Sequence, residues 1–250
     1  MALYTFTFLS VLGIFAALQV PNSSSEEEQP AKQLSVSRSE QNEIVNKHNA
    51  LRRAVRPSAS NMMEMSWSSE AAANAQRWAN KCTMSHSPDS SRNIRSSGCG
   101  ENLYMSSNRK SWSTAIQKWY NEVKDWRYGV GSTNGGVVGH YTQVVWYNSN
   151  KVGCGMAHCP NSKYKYYYVC QYCPPGNYQY ARPYKAGRTC GDCRNSCDSG
   201  LCRNRDGDEF NQWPKTELSQ HTQLNKTDLV RVSHQQTGVV LSLSHCLCDS

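Results

Sequence analysis

Gly139-His140-Tyr141-Thr142-Gln143-Val144-Val145-Trp146 is the stretch from which the fold is read. Its side chains alternate: His140, Thr142, Val144 and Trp146 would share one face of an extended strand, and Tyr141, Gln143 and Val145 the other. The stretch reads as a core strand carrying one titratable imidazole at its mouth. Downstream, residues 138–147, 151–157 and 164–172 read as three strands. Short Asn/Ser/Pro connections at 148–150 and 160–162 suit antiparallel hairpins. Upstream the period changes. Ile44, Val45, His48 and Leu51 recur at helical spacing, so 41–53 reads as an amphipathic helix ending before Pro57. His48 on that stripe reads as a hydrogen-bonded core residue. Ala71, Ala75, Trp78 and Ala79 mark a second helix over 69–81. A third, capped by Ser113, carries Ile116, Trp119, Tyr120, Val123 and Trp126. Glu122 falls at the edge of this last stripe, so a carboxylate borders a buried surface. Helices first and strands afterwards predict an α+β layer architecture.

The 250 residues allow one sizeable core and a small appendage. Twelve cysteines, an even number, suit pairing in an oxidising compartment. Residues 2–20 are almost uncharged and apolar, and their length suits a secretory leader better than a membrane span. No later stretch is long and apolar enough to cross a bilayer. The sequons at Asn22 and Asn225 are usable only in a secreted chain. Residues 23–33, with Glu26, Glu27 and Glu28 in a row, read as a polar linker. The net charge of +8 would draw acidic glycans, anionic lipid or an acidic channel vestibule. Its basic residues are scattered rather than blocked, which argues against nucleic acid.

Four motifs in order resemble the CAP superfamily, most of all the vertebrate cysteine-rich secretory proteins. They are His48-Asn49-Ala50-Leu51-Arg52, Gly100-Glu101-Asn102-Leu103, the opening octapeptide, and the run from Tyr167 to Tyr178. The resemblance spans roughly residues 40 to 202. It implies an αβα sandwich and a division into a signal peptide (1–20), linker (21–39), CAP domain (40–180), cysteine-rich hinge (181–202) and divergent tail (203–250). It also implies disulfides Cys82–Cys159, Cys99–Cys173 and Cys154–Cys170, with Cys190–Cys197 and Cys193–Cys202 in the hinge. Closing a loop as long as the first would stabilise the fold by about 4 kcal/mol in the chain-entropy model. Taken alone, Cys170-x-x-Cys173 and Cys190-x-x-Cys193 also match a zinc ribbon, a reading that secretion and cysteine density disfavour. Cys246 and Cys248 are left over. Between Arg203 and His245 there is no cysteine, where a relative would carry several.

Resemblance also carries over a tetrad: His86, Glu101, Glu122 and His140. Nothing in their spacing shows that they converge. Two imidazoles and two carboxylates facing one cleft would suit a divalent cation such as Zn2+, with the histidines as ligands and the glutamates as ligands or outer partners. Affinity would fall as pH drops through about 6.5, because the ligands must be neutral. The same four residues could form a metal-dependent hydrolase site, or a polar cluster that merely orders the cleft. No Gly-x-Ser-x-Gly elbow or His-Glu-x-x-His helix is present, and no cysteine looks free to act as a nucleophile, so the chain is read as a binding protein and not an enzyme. The resemblance implies extracellular or cell-surface partners, namely a gamete surface in sperm maturation or an ion channel. The divergent tail weakens the channel role. Tyr164, Tyr166, Tyr167, Tyr168, Tyr172, Tyr178 and Tyr180 read mostly as sheet packing, with a sterol or lipid face as the other option.

Overall fold

Alternation and helical period resolve into three layers in a computed structural model, which describes residues 32–203 and 247–249. The leader, both sequons and Cys246 lie outside the described residues. A sheet forms the middle layer. Its strands are β1 (Lys32–Leu34), β2 (Ser66–Trp67), β3 (Gly100–Ser106), β4 (Lys151–His158), β5 (Tyr166–Cys173) and β6 (Leu247–Asp249). The order is β1-β4-β5-β3-β6, and β2 also pairs with β4. The β4–β5 and β5–β3 pairs are antiparallel, with Cys154 opposite Cys170 and Glu101 opposite Gln171. The helices are α1 (Arg38–Arg53), α2 (Ser69–Ala79), α3 (Trp112–Tyr120) and α4 (Gly139–Val144).

Strand periodicity assigns each face of the sheet its own core. Val152, Cys154 and Met156 of β4, with Tyr168, Cys170 and Tyr172 of β5, pack with Ile44, Trp112, Trp119 and Val144 from α1, α3 and α4. The intervening residues Ala157, Tyr167 and Val169 meet Ala75 and Ala79 of α2 on the opposite face. Here β4 carries Gly153 and Gly155, because the backbone of α2 lies against it. A Cβ on Gly155 would stand 2.4 Å from Cα of Gln76. Layers of helix, sheet and helix are the αβα sandwich.

Three helix boundaries depart from the reading of the sequence by local capping. Ser37 and Glu40 form a reciprocal capping box, so α1 starts at Arg38 rather than at residue 41. Ser111, not Ser113, caps α3 through the amide of Thr114. The second helix stops at Ala79.

A larger correction concerns the opening octapeptide. Its first six residues are the helix α4, and none of it is a strand. His140, Tyr141, Thr142, Gln143 and Val144 are all buried, so polar and apolar residues alternate without marking an inside and an outside. The Arg52 guanidinium settles the matter at one end. It is buried and donates to the carbonyls of Val144 (3.0 Å), Trp146 (2.7 Å), Tyr147 (2.9 Å) and Met63 (3.1 and 2.8 Å). Carbonyls that a helix end leaves unpaired are thereby satisfied by one cation at the negative end of the helix dipole.

Disulfides close the remaining gaps. Cys82–Cys159 joins the chain just past α2 to the residue after β4, Cys99–Cys173 joins the approach to β3 with the end of β5, and Cys154–Cys170 bridges β4 and β5. Cys190–Cys197 and Cys193–Cys202 knit residues 190–202. This segment is laced to residues 58–64: Cys202 donates to Met62, Glu64 to Cys202, Ser60 to Lys185 and Gly187 to Ser58. Among the described residues no helix is long and apolar enough to cross a membrane.

Because the α2–β4 contact is backbone on backbone, Gly155→Ala should destabilise the protein by about 1–3 kcal/mol. Urea unfolding, followed by tryptophan fluorescence, measures this as a lower midpoint at constant slope.

Candidate functional site

His140 is the second residue of α4, and its position is dictated by Glu122. The carboxylate accepts from the amides of His140 (2.9 Å) and Tyr141 (3.0 Å), amides that a helix start leaves unpaired. It also pairs with Nδ1 of His140 at 2.6 Å. Glu122 lies in the 3-10 turn Asn121–Asp125 that prolongs α3, and it is buried. One carboxylate therefore starts α4 and fixes its imidazole.

The second half of the site repeats this chemistry with different elements. Glu101, second residue of β3, takes Nδ1 of His86 at 2.9 Å, the amide and hydroxyl of Ser87 at 2.9 and 2.6 Å, and Nε2 of Gln171 at 3.1 Å. Burial alone would raise its pKa. The hydrogen bonds from His86 and Ser87, helped by the positive charge of Arg92, outweigh that and hold the carboxyl below its usual range. Asn102, the next residue along β3, donates to the carbonyl of His140 at 3.0 Å and ties the two halves together.

His86, Glu101, Asn102 and His140 line one cavity of about 530 Å3. Glu122 stands behind His140 and outside that lining. Each histidine has its Nδ1 held by a carboxylate, and among the described residues neither Nε2 has a hydrogen-bond partner. Both carboxylates are filled by protein donors. The only three His, Cys, Asp or Glu ligand atoms within 4.8 Å of one another, among the described residues, are the sulfurs of Cys190, Cys193 and Cys202, all engaged in disulfides. The cleft thus offers two imidazole nitrogens rather than a closed four-residue cage.

A strap that begins inside the motif ending at Tyr178 frames the mouth. Residues 174–181 leave β5, bond Gln143 through the amide of Gly176 (3.1 Å), and hold Gly139 and Thr142 of α4 through Asn177. They are then anchored where Trp126 donates to the Tyr180 carbonyl (2.7 Å) and Gly129 to that of Ala181 (2.8 Å). The large apolar side chains left exposed among the described residues are Val130, Val137, Tyr178 and Tyr180, all on this strap or the facing loop. Of the tyrosine-rich run, Tyr167, Tyr168 and Tyr172 are buried in the sheet, while Tyr178 and Tyr180 reach solvent. Scattered loop positions have no period to betray such a rim.

His48 shows the contrasting use of an imidazole. Nδ1 meets the Ile44 carbonyl (2.8 Å) and Nε2 the Tyr172 hydroxyl (3.0 Å), so no nitrogen remains for a ligand. Burial pushes its pKa down to about 4.

The family profile described as "CAP: Cysteine-rich secretory protein family" matches residues 45–172. Over 202 residues the chain is 54% identical to cysteine-rich secretory protein 3 of Equus caballus, covering 78% of this chain and 82% of that one. It is 58% identical over 168 residues to cysteine-rich secretory protein 2 of Cavia porcellus, covering 66% and 68%. Among solved structures it is similar to NaASP2 with Zn2+, at 31% identity and a TM-score of 0.55, covering 67% of this chain and 96% of that one.

Two outcomes test this geometry. Glu122→Ala strips two helix-start amides and an imidazole of their acceptor, and should lower stability by about 1–3 kcal/mol in chemical unfolding. For His48 the folded pKa is depressed, so its contribution is complete above about pH 6.5 and is lost as pH falls towards 4. That loss is about 3 kcal/mol, and the fall in urea midpoint over this window should flatten in His48→Gln.

Proposed function

The chain belongs to the cysteine-rich secretory protein family, and from that membership we propose a secreted, extracellular binding protein whose cleft takes a divalent cation such as Zn2+ through His86 and His140. One observation carries the reading: His86 and His140 both line the cleft, and each gives its Nδ1 to a buried carboxylate and has an Nε2 with no hydrogen-bond partner among the described residues. Metal-bound histidines are oriented in this way, the carboxylate fixing the tautomer and raising the basicity of the ligating nitrogen. The donor set therefore fits Zn2+, with His86 and His140 as ligands and Glu101 and Glu122 as their outer partners. Its relative NaASP2, solved with Zn2+, supports the choice of ion. Two nitrogens leave coordination positions for water or for groups of a partner.

Occupied carboxylates also favour binding over turnover. A hydrolytic base needs a lone pair aimed at water and a pKa near the working pH. Glu101 instead spends both oxygens on His86, Ser87 and Gln171, and its pKa is lowered. The sequence reading of an ion channel or a gamete surface as partner rests on family membership, and the net charge of +8 supports an acidic target.

Zinc calorimetry decides this. Wild type should bind one Zn2+, and His86→Ala and His140→Ala should each weaken it at least about tenfold, as loss of a ligand or its support does. Unchanged heats in both variants would remove the metal. Chelator-sensitive ester hydrolysis abolished by Glu101→Gln would replace the binding reading with a hydrolase.

A further inference from the structure

A second groove of about 590 Å3 lies between α1 and the edge formed by β2 and the start of β4, and it shares no lining residue with the His/Glu cleft. One wall is a polar stripe of α1. Arg38, Asn42, Asn46 and Asn49 recur at spacings of four, four and three, which keeps them within about 80° of the helix circumference. Asn49 is the floor: both ends of its amide are bonded to the backbone of Met65, at 2.9 and 2.8 Å. This pair of hydrogen bonds to the chain just before β2 holds the opposite wall at a set distance from α1. That wall contributes Trp67 and Lys151, with Trp67 half-buried against the core.

Several polar groups of this groove have no use within the fold. Among the described residues the side chains of Arg38, Asn42, Asn46 and Lys151 have no hydrogen-bond or ion-pair partner. The other charges are paired elsewhere. Glu64 stands 3.9 Å from Arg53, and Arg203 is paired with Asp198. What the groove offers a ligand is therefore two exposed carboxamides one helical turn apart, an indole surface and two unpaired cations, beside a Glu64 carboxylate and an Arg203 guanidinium that already have partners. Each carboxamide offers a donor and an acceptor, the pattern that a pair of neighbouring hydroxyl groups complements. An indole covers an apolar ring face while keeping a polar tip. Arg38 and Lys151 call for an anion on the same ligand.

We propose that this groove binds an oligosaccharide carrying a carboxylate or sulfate group, with Asn42 and Asn46 holding ring hydroxyls, Trp67 covering a sugar face, and Arg38 and Lys151 meeting the anion. The site is separate from the cation cleft and does not depend on it.

Saturation-transfer NMR on the full chain tests this with 3′-sialyllactose, lactose 3′-sulfate and lactose, alongside Asn46→Ala and Lys151→Ala. Both positions are away from the core clusters, and unchanged thermal unfolding of the variants establishes that they fold. At least one acidic sugar should bind about tenfold more tightly than lactose, as one charged contact confers. Asn46→Ala should weaken all three sugars, and Lys151→Ala should narrow the gap between the acidic sugars and lactose, Arg38 retaining the rest. Binding of only one acidic sugar upholds the site and identifies the anion as carboxylate or sulfate. No saturation by any sugar, lactose binding as tightly as both acidic forms, or affinities untouched by both substitutions would overturn it.

Discussion

The guanidinium of Arg52 is the interaction on which the cleft depends. It is a buried cation, and burial lowers its pKa to about 9, which still leaves it charged at neutral pH. Four backbone carbonyls compensate it: Val144 at the end of α4, Trp146 and Tyr147 just beyond it, and Met63. Removing the side chain would strip the Val144 and Met63 carbonyls of its donors, while Trp146 and Tyr147 would keep the amides of Ser149 and Met63, so part of the penalty would fall on buried peptide groups. α4 is only six residues long and too short to persist alone. It exists because a carboxylate, Glu122, accepts from its first amides and a guanidinium donates to the carbonyls at and just beyond its end. His140 inherits its place from both.

The same device explains what the amino-acid pattern could and could not reveal. α1 and α2 are legible because each has one buried and one less buried face, and the period of the apolar residues follows directly; β4 and β5 are buried on both faces and are legible from the Asn/Ser/Pro connections that bound them. The octapeptide is buried on all sides, so its alternation carries no geometric information. Its Val144-Val145-Trp146 ending favours a strand locally, and two long-range charged caps overrule that preference. Glu122 was placed at the edge of a buried stripe, which is close to its real position. Its service to His140 was legible only through resemblance, since 18 residues separate the two. Of the rim, Tyr178 and Tyr180 were read only as members of a tyrosine-rich run, and Val130 and Val137 were not singled out.

Three histidines show how function separates from packing at the level of single nitrogens. His48 has both ring nitrogens engaged by the fold, whereas His86 and His140 each have one. The difference lies in which side of the ring meets a carboxylate and which side meets open space. Cysteines divide in the same spirit: Cys154–Cys170 reinforces strands that would pair in any case, whereas Cys99–Cys173 fixes the point from which the strap departs.

That strap begins at a disulfide-bound cysteine and, by Ala181, is bonded to the loop at Gly129. Shortly afterwards Pro183 accepts from Tyr147. A short segment pinned at both ends has almost no slack, so the mouth of the cleft behaves as a gauge of set aperture. Guests would be sorted by size before any chemical contact is made, and admission would require no closing movement of the host.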